Sequence, residues 1–345
     1  MSTIKYLDKT VFHPYLLIIN SKGPLKKDIP EGILTYDLGI KRIRYALPRI
    51  LSLLRSIKPD IIISTLVHLN LLILGAKYMH LFDLPIIVRE ANTPSIRLGS
   101  SRNPFLFNFF YKILYHRARM IICNSQHVKM DIMDSFGIKE NKIKIAYNPV
   151  DTIRIKELIS KEANPYLKGK YHLVAVGRLN HQKGFDLLMQ VFQRALREIP
   201  KLHLTIIGEG PEKRSLKDLA MGLGISESTS FTGHQLNPFP YMAHADIFLS
   251  TSRYEGSPNV VLESLACGTP VLAFDCPGGT GEIIKDGKNG WLVPNGNVKA
   301  MQKRLVEIVK GEEWSCVEKS KMLPESHDIS KAVKVFENII IEALR

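Results

Sequence analysis

The 345-residue chain has little cysteine: Cys123, Cys267, Cys276 and Cys316 are scattered, with no C-x-x-C pair and no His spacing of zinc type. That excludes a disulfide framework and a cysteine-built metal site, suits a reducing compartment, and makes all four packing residues. A long hydrophobic run is missing too. The start, MSTIKYLDKTVFHPYLLIIN, holds too short an apolar segment for a secretory signal. The most apolar stretch, LVHLNLLILGA, carries His68 and Asn70 and falls short of a membrane span. A soluble or peripheral protein is expected. Low-complexity tracts are absent, and 45% of the residues are hydrophobic, so each of two ordinary domains can have its own core. Acidic residues are scarce in one half only. Residues 1–150 carry 22 Lys and Arg against 10 Asp and Glu, a surplus of 12, while the rest of the chain has a surplus of only 2. Such an asymmetry points to an anionic surface, either nucleic acid or membrane headgroups.

What is present is an alternation of strand-like and helix-like segments. Strands are expected at 15–20, 32–38, 60–65, 85–90, 120–125 and 144–148, then at 172–177, 203–208, 228–233, 246–250, 270–274 and 290–294. Repeated βα units imply an α/β fold with parallel, doubly wound sheets covered by helices on both faces. The chain divides into a first Rossmann-like domain, 1–150, joined by the C-terminal helix 329–345, and a second, 151–328. Ligands in such folds sit beyond the C-terminal ends of the strands, and the cleft between the domains is the expected site.

Three loops at strand ends of the second half carry chemistry. In VAVGRLNHQKGFDLL, Arg178 offers a planar fork of donors and Lys183 a mobile point charge, a pair suited to a diphosphate. Two solvated loop cations would look the same. IIGEGPEK supplies Gly208 and Gly210, with Pro211 opening a helix, but it is not G-x-G-x-x-G and is weak alone. The third loop, SRYEGSPNVVLESLACGTPVLAFD, runs from a buried strand through a turn into a helix, with Ser257 as expected N-cap and Pro258 at the first helical position. A helix start receives anions, most often phosphate. Glu255 lies at its mouth and Glu263 about two turns in. A carboxylate beside a phosphate is unhelpful, so both are expected to grip hydroxyl groups.

GRLNHQKG, GEGP, FTGH and SRYEGSPNVVLESLACGTPVLAFDCPGG resemble, in order, the nucleotide-sugar domain of the family 4 retaining glycosyltransferases with the GT-B fold. Glu255 and Glu263 match that family's E-x7-E signature. The match is specific over about 172–295 and weaker over about 14–151, where PDIIIST, IICNSQ and YNPVD follow in order. The wording is most similar to bacterial members that use UDP-sugars on glycolipid or polysaccharide acceptors. The resemblance implies two facing Rossmann-like domains, with Glu255 on donor-sugar hydroxyls and Glu263 on the ribose. It implies a diphosphate met by backbone N–H groups around Ser257, Asn259 and Val260, alongside Arg178 and Lys183, with Gly256 and Pro258 also in the donor site. Glu255, Arg178 and Lys183 are the residues implied in catalysis. Configuration is retained without a protein nucleophile, so no glycosyl-enzyme is expected on Glu255. No D-x-D triplet occurs, so no metal and no cofactor is expected.

One departure concerns the start. The family opens with a strand, a Gly-rich turn and a helix, and HPYLLIINSKGP looks like its second strand; the first unit is expected to be absent, leaving a gap or forced re-pairing in the sheet. On the acceptor side, Arg89, Glu90 and Asn92 follow a strand in VREANTPS and are expected to point into the cleft. His68 also stands at a strand end, where a packed histidine is an equal alternative. Two basic stretches, 40–58 and the aromatic-rich 101–119 with Lys112, Arg117 and Arg119, fit an anionic membrane surface. The expectation is thus a cytoplasmic enzyme, peripheral at the inner face of the membrane, acting on a lipid-linked or saccharide acceptor. A non-catalytic donor-binding subunit or inactive truncated form, and a basic nucleic-acid module, are the alternatives; no nucleic-acid motif is present.

Overall fold

The computed structural model describes residues 2–20, 29–99, 103–311 and 322–345. Two compact units result: Met1–Pro149 with Ile329–Arg345, and Val150–Asp328. The first contains β1 (Tyr15–Ile18), β2 (Leu34–Asp37), β3 (Ile62–Ser64), β4 (Ile86–Glu90), β5 (Met120–Cys123) and β6 (Ile143–Ile145). The second contains β7 (Tyr171–Val176), β8 (Leu202–Ile207), β9 (Thr229–Gly233), β10 (Ile247–Ser250), β11 (Val271–Asp275) and β12 (Gly290–Pro294). All the strand pairings among the described residues are parallel.

In the second unit the strand order is β12-β11-β10-β7-β8-β9. Period-two alternation explains why helices cover both faces. Leu173, Ala175, Leu272 and Phe274 pack with Phe192, Trp291 and Leu305 on one face. Their neighbours Val174, Val271 and Ala273 pack with Val261, Leu262 and Leu265 on the other. Each fully buried Leu or Phe contributes roughly 1.5–3 kcal/mol. The order reverses between β7 and β10, which makes their C-terminal ends the switch point of the sheet.

The first unit has a four-stranded sheet, β3-β4-β5-β6, and a separate ladder of β1 with β2. Ile86, Val88, Ile121 and Cys123 face one core. Ile87, Met120 and Ile122 face another, completed by Ile339 and Ile340 of the helix Ile329–Leu344. Asp8 N–H donates to Glu337 Oε1 at 2.8 Å, fastening the N-terminal segment to that helix. The basic stretch 40–58 forms the helix Leu47–Ile57, which buries Ile50 with Ala46 and Leu38 and rests Leu53 and Leu54 on them. Of the cysteines, Cys123, Cys267 and Cys276 are free, and Cys316 lies outside the described residues. Burial pushes the Cys267 thiol up to about 12 and Cys276 to about 11, which suppresses the reactive thiolate.

Candidate active site

The switch point of the second unit gathers the charged residues. β7 ends at Val176 and continues through Gly177 and Arg178 to the 3-10 turn His181–Lys183. The Asn180 side chain accepts from Lys183 N–H, which sets that turn. β10 ends at Ser250 and continues through Ser252 to Glu255. The two loops meet: Lys183 Nζ lies 2.6 Å from Glu255 Oε1. Ser252 Oγ donates to the same oxygen at 2.7 Å. Glu255 is 6% exposed. Beside the pair lies a cavity of about 10 Å³ bordered by Lys183, Ser250, Thr251, Ser252 and Val260.

The loops are bound to each other by more than this ion pair. Arg253 makes a two-pronged contact with Asp186, Nη1 to Oδ1 at 2.8 Å and Nη2 to Oδ2 at 2.7 Å. Arg253 Nη1 also donates to the His181 carbonyl, and its backbone N–H donates to the Gln182 carbonyl. Gln182 Nε2 donates to the Tyr254 carbonyl at 3.1 Å. Gly184 is required at φ 63°, because a Cβ there would lie 2.1 Å from the Thr251 carbonyl oxygen. Behind Glu255, its N–H donates to the Pro277 carbonyl at 2.9 Å. Gly278 approaches so closely that a Cβ would lie 2.1 Å from the Glu255 carbonyl oxygen. The Glu255 backbone is therefore held from both sides. Ser252, Arg253 and Asp186 escaped sequence reasoning, although Arg253 stands two residues before Glu255.

The helix after Glu255 runs Asn259–Ala266, with Pro258 at the cap position and no side-chain cap. This corrects the assignment of Ser257 as cap and Pro258 as first helical residue. Pro258, at φ −74° and ψ 102°, is extended and not helical, so the helix starts one residue later. Counted from Asn259, Glu263 lies about one turn in, not two. It is partly exposed. Burial pushes its carboxyl up to about 6, against the pull of the nearby Lys183 charge. Gly256, Ser257 and Pro258 are buried, Val260 is half-buried and Asn259 is exposed at the helix start. Arg178 is exposed in the loop after β7. No group of His, Cys, Asp and Glu among the described residues could hold a metal ion.

The first unit treats its strand-end residues differently. Glu90 is 1% exposed and accepts from Asn70 Nδ2 at 3.1 Å and the Tyr111 hydroxyl at 3.2 Å. The Tyr115 hydroxyl donates to the same oxygen. Its expected orientation into a cleft is thus wrong. Ile86, Val88 and Glu90 share one face of β4 by the two-residue period, and that face is core. Burial, reinforced by the Glu90 charge, raises the Tyr115 hydroxyl well above the phenol range. Arg89 Nη2 donates to Asn148 Oδ1 at 2.6 Å, and burial lowers its pKa. Asn92 is half-buried. His68 is exposed in the first turn of the helix Val67–Tyr78, its ring 5.4 Å from that of Phe107.

Comparison with known proteins places the chain in a family. The family described as Glycosyltransferase Family 4 matches residues 4–154, and Glycosyl transferases group 1 matches 157–326. An N-acetylgalactosaminyltransferase of Campylobacter jejuni, acting on N-acetylgalactosamine-N,N'-diacetylbacillosaminyl-diphospho-undecaprenol, is 31% identical over 237 residues, 68% of this chain and 63% of that protein. An uncharacterised glycosyltransferase of Methanocaldococcus jannaschii is 29% identical over 250 residues, 68% of this chain and 60% of that protein. The chain spans about three fifths of these relatives. Among solved structures, the lipopolysaccharide outer core galactosyltransferase WaaB superposes with a TM-score of 0.71 at 22% identity, covering 95% of this chain and 89% of WaaB. Anabaena HepE in complex with UDP-glucose superposes at 0.75 with 17% identity, covering 92% and 88%. The fold is that of the GT-B glycosyltransferases, and the chain belongs to the group 1 glycosyl transferases of glycosyltransferase family 4.

Proposed function

We propose that the protein transfers a hexose or N-acetylhexosamine from a UDP-sugar to a lipid-linked or saccharide acceptor, with retention of configuration and without a metal. The observation that carries this reading is the meeting of Lys183, Glu255 and a helix start at the switch point of the second unit. There the Lys183 ammonium and the positive helix end would hold the donor diphosphate, and Arg178 would reach it from the same loop. Glu263 would accept from ribose hydroxyls. The UDP and UDP-glucose named with the HepE structures support the choice of donor. The diphospho-undecaprenol in the Campylobacter relative's name supports a lipid-linked acceptor.

Lys183 is paired with Glu255, which neutralises its charge. Binding a diphosphate therefore exchanges one anion for another at the ammonium, which frees Glu255 to take donor-sugar hydroxyls. In the reaction, the bond between the anomeric carbon and the UDP β-phosphate oxygen breaks, and the electron pair goes to that oxygen. Lys183, Arg178 and the helix dipole stabilise the developing charge. The acceptor hydroxyl oxygen forms the new bond on the same face, and its proton passes to the departing phosphate.

The first unit supplies the acceptor side in this reading, docked at the cytoplasmic face of a membrane. The helix Pro104–Leu114 leaves Phe105 85%, Phe109 51% and Ile113 38% exposed. No helix among the described residues is long and apolar enough to cross a membrane. The test is a calorimetric titration with UDP, followed by product analysis with a panel of UDP-sugars and a membrane-lipid extract. Absence of UDP binding would refute the reading.

A further inference from the structure

A second charged site lies in the first unit, away from the C-terminal strand ends. Around the N-terminal ends of β4, β5 and β6 a cavity of about 430 Å³ is lined by Lys77, Asp83, Pro85, Arg117, Arg119 and Lys142. Four of these are cations, and Asp83 is the one carboxylate, fully exposed and 3.8 Å from Lys77 Nζ. The cations are fixed in place. Lys77 Nζ donates to the Leu84 carbonyl at 2.6 Å. Lys142 Nζ donates to the His116 and Ala118 carbonyls at 2.6 and 3.2 Å. Arg119 Nε donates to the Ala343 carbonyl at 3.1 Å, which leaves its terminal nitrogens for another acceptor. The Arg117 guanidinium stacks on the Tyr78 ring at 5.0 Å. Each ammonium keeps a donor beyond those used on carbonyls. Burial lowers the Lys142 pKa, and the repulsion of Arg119, Arg117, Lys139 and Lys77 adds to it.

Like charges held together around an open volume are stabilised by an anion placed among them. The neighbouring surface says which anion. Phe105, Phe109 and Ile113 recur every fourth residue along the helix Pro104–Leu114, and Arg117 is the next position, in the 3-10 turn Tyr115–Arg117. An exposed apolar stripe with two aromatic rings, running toward a basic cavity, has the composition of a bilayer-interface contact, with apolar side chains at the acyl boundary and cations at phosphate level. We propose that this cavity binds the phosphate of an anionic phospholipid headgroup while the Phe105–Phe109–Ile113 stripe enters the interface. A diphosphate-sized or diester phosphate with its glycerol fits a volume of this size. The site rests on the membrane reading of the first unit and is independent of the donor site in the second.

The test is co-sedimentation of the full chain with phosphatidylcholine vesicles, with and without phosphatidylglycerol. Binding is expected only with phosphatidylglycerol. Changing Arg117, Arg119 and Lys142 together to Gln should weaken it roughly a hundredfold, about fivefold per cation at a charged headgroup. The control of equal charge is Lys41, Arg42 and Arg44 to Gln, exposed cations of the other basic stretch, and it should weaken binding far less. Phe105→Ser with Phe109→Ser should also weaken vesicle binding. UDP titration of the same samples should be unchanged, which separates failure here from failure of the donor-site reading. Should the cavity triple variant not fold, the wild type decides: phosphatidylglycerol vesicles should protect Lys77 and Lys142 from a water-soluble acetylating reagent. Equal losses in the two triple variants would mean diffuse charge and overturn the site. So would no binding to anionic vesicles, exposed Lys77 and Lys142 on the vesicle, or RNA binding that needs the cavity cations while vesicle binding does not.

Discussion

Two buried glutamates, one in each unit, stand at the C-terminal ends of parallel strands, and their surroundings are opposite. Glu255 faces a cation, Lys183, and a hydroxyl, Ser252, at the reversal of strand order. Glu90 accepts from two tyrosine hydroxyls and an amide inside a hydrophobic cluster. The difference teaches that a strand-end position does not make a site residue. Glu90 continues the core face of β4, whereas Glu255 lies five residues past β10, where the chain is free to turn toward the neighbouring loop. One glutamate is part of the packing of its unit, and the other has a mobile charge for a partner.

The comparison breaks or holds first on stability. Glu90→Leu takes the carboxylate acceptor from the Asn70 amide and the Tyr111 and Tyr115 hydroxyls in the core and should cost about 3 kcal/mol. Thermal unfolding would show it, with UDP affinity of the remaining folded protein unchanged. Glu255→Gln should leave the melting temperature nearly intact and lower kcat roughly a hundredfold, the loss of one charged hydrogen bond made to the reacting sugar. Steady-state kinetics check this, and a variant that melts early with normal kcat would put Glu255 in the class of Glu90.

Glu263→Gln is expected to weaken UDP by roughly 1.5–3 kcal/mol, since ribose hydroxyls lose a charged acceptor. Its raised pKa adds a pH signature. The folded protein keeps a proton there up to about 6, above the ordinary 4.5. The stability contribution of this group is therefore present below the unfolded value and lost as pH rises through the folded one. The ionised form needed for ribose appears over the same interval, so UDP affinity should rise as pH passes through about 6. Glu263→Gln should remove that rise, leaving only the titration of the nucleotide itself. The smallest effect is expected at the Asp186–Arg253 contact, which is partly solvated. Asp186→Asn should cost under about 1 kcal/mol of stability and raise KM for the donor modestly. Kinetics at matched temperature would check it.

Much of the fold was legible because both faces of each sheet are covered. The apolar runs marked the twelve strands of the described residues to within three residues at either end. Glu255 and Lys183 were legible as residues following strand ends, since that position follows from the alternation alone. Their pairing was not, because Lys183 and Glu255 are 72 residues apart and meet only through the order β10-β7. The same holds for Arg253 and Asp186. Glu90 was misread for a different reason: a charged residue was given weight over the two-residue period that places it with Ile86 and Val88. The cavity at the other end of the first sheet was partly visible as a surplus of cations. Its geometry needed Lys77 and Lys142 to come together from segments 65 residues apart with Arg117 and Arg119.

The central claim is that Lys183 leaves Glu255 for the donor diphosphate. Calorimetric titration of UDP into the wild type, Lys183→Gln and Glu255→Gln tests it most directly. The exchange predicts that Lys183→Gln binds UDP at least about tenfold more weakly, as loss of a charge-assisted contact to phosphate requires. It also predicts that Glu255→Gln, with its lysine released, binds UDP as tightly as the wild type or more tightly. UDP affinity equal in wild type and Lys183→Gln would contradict it.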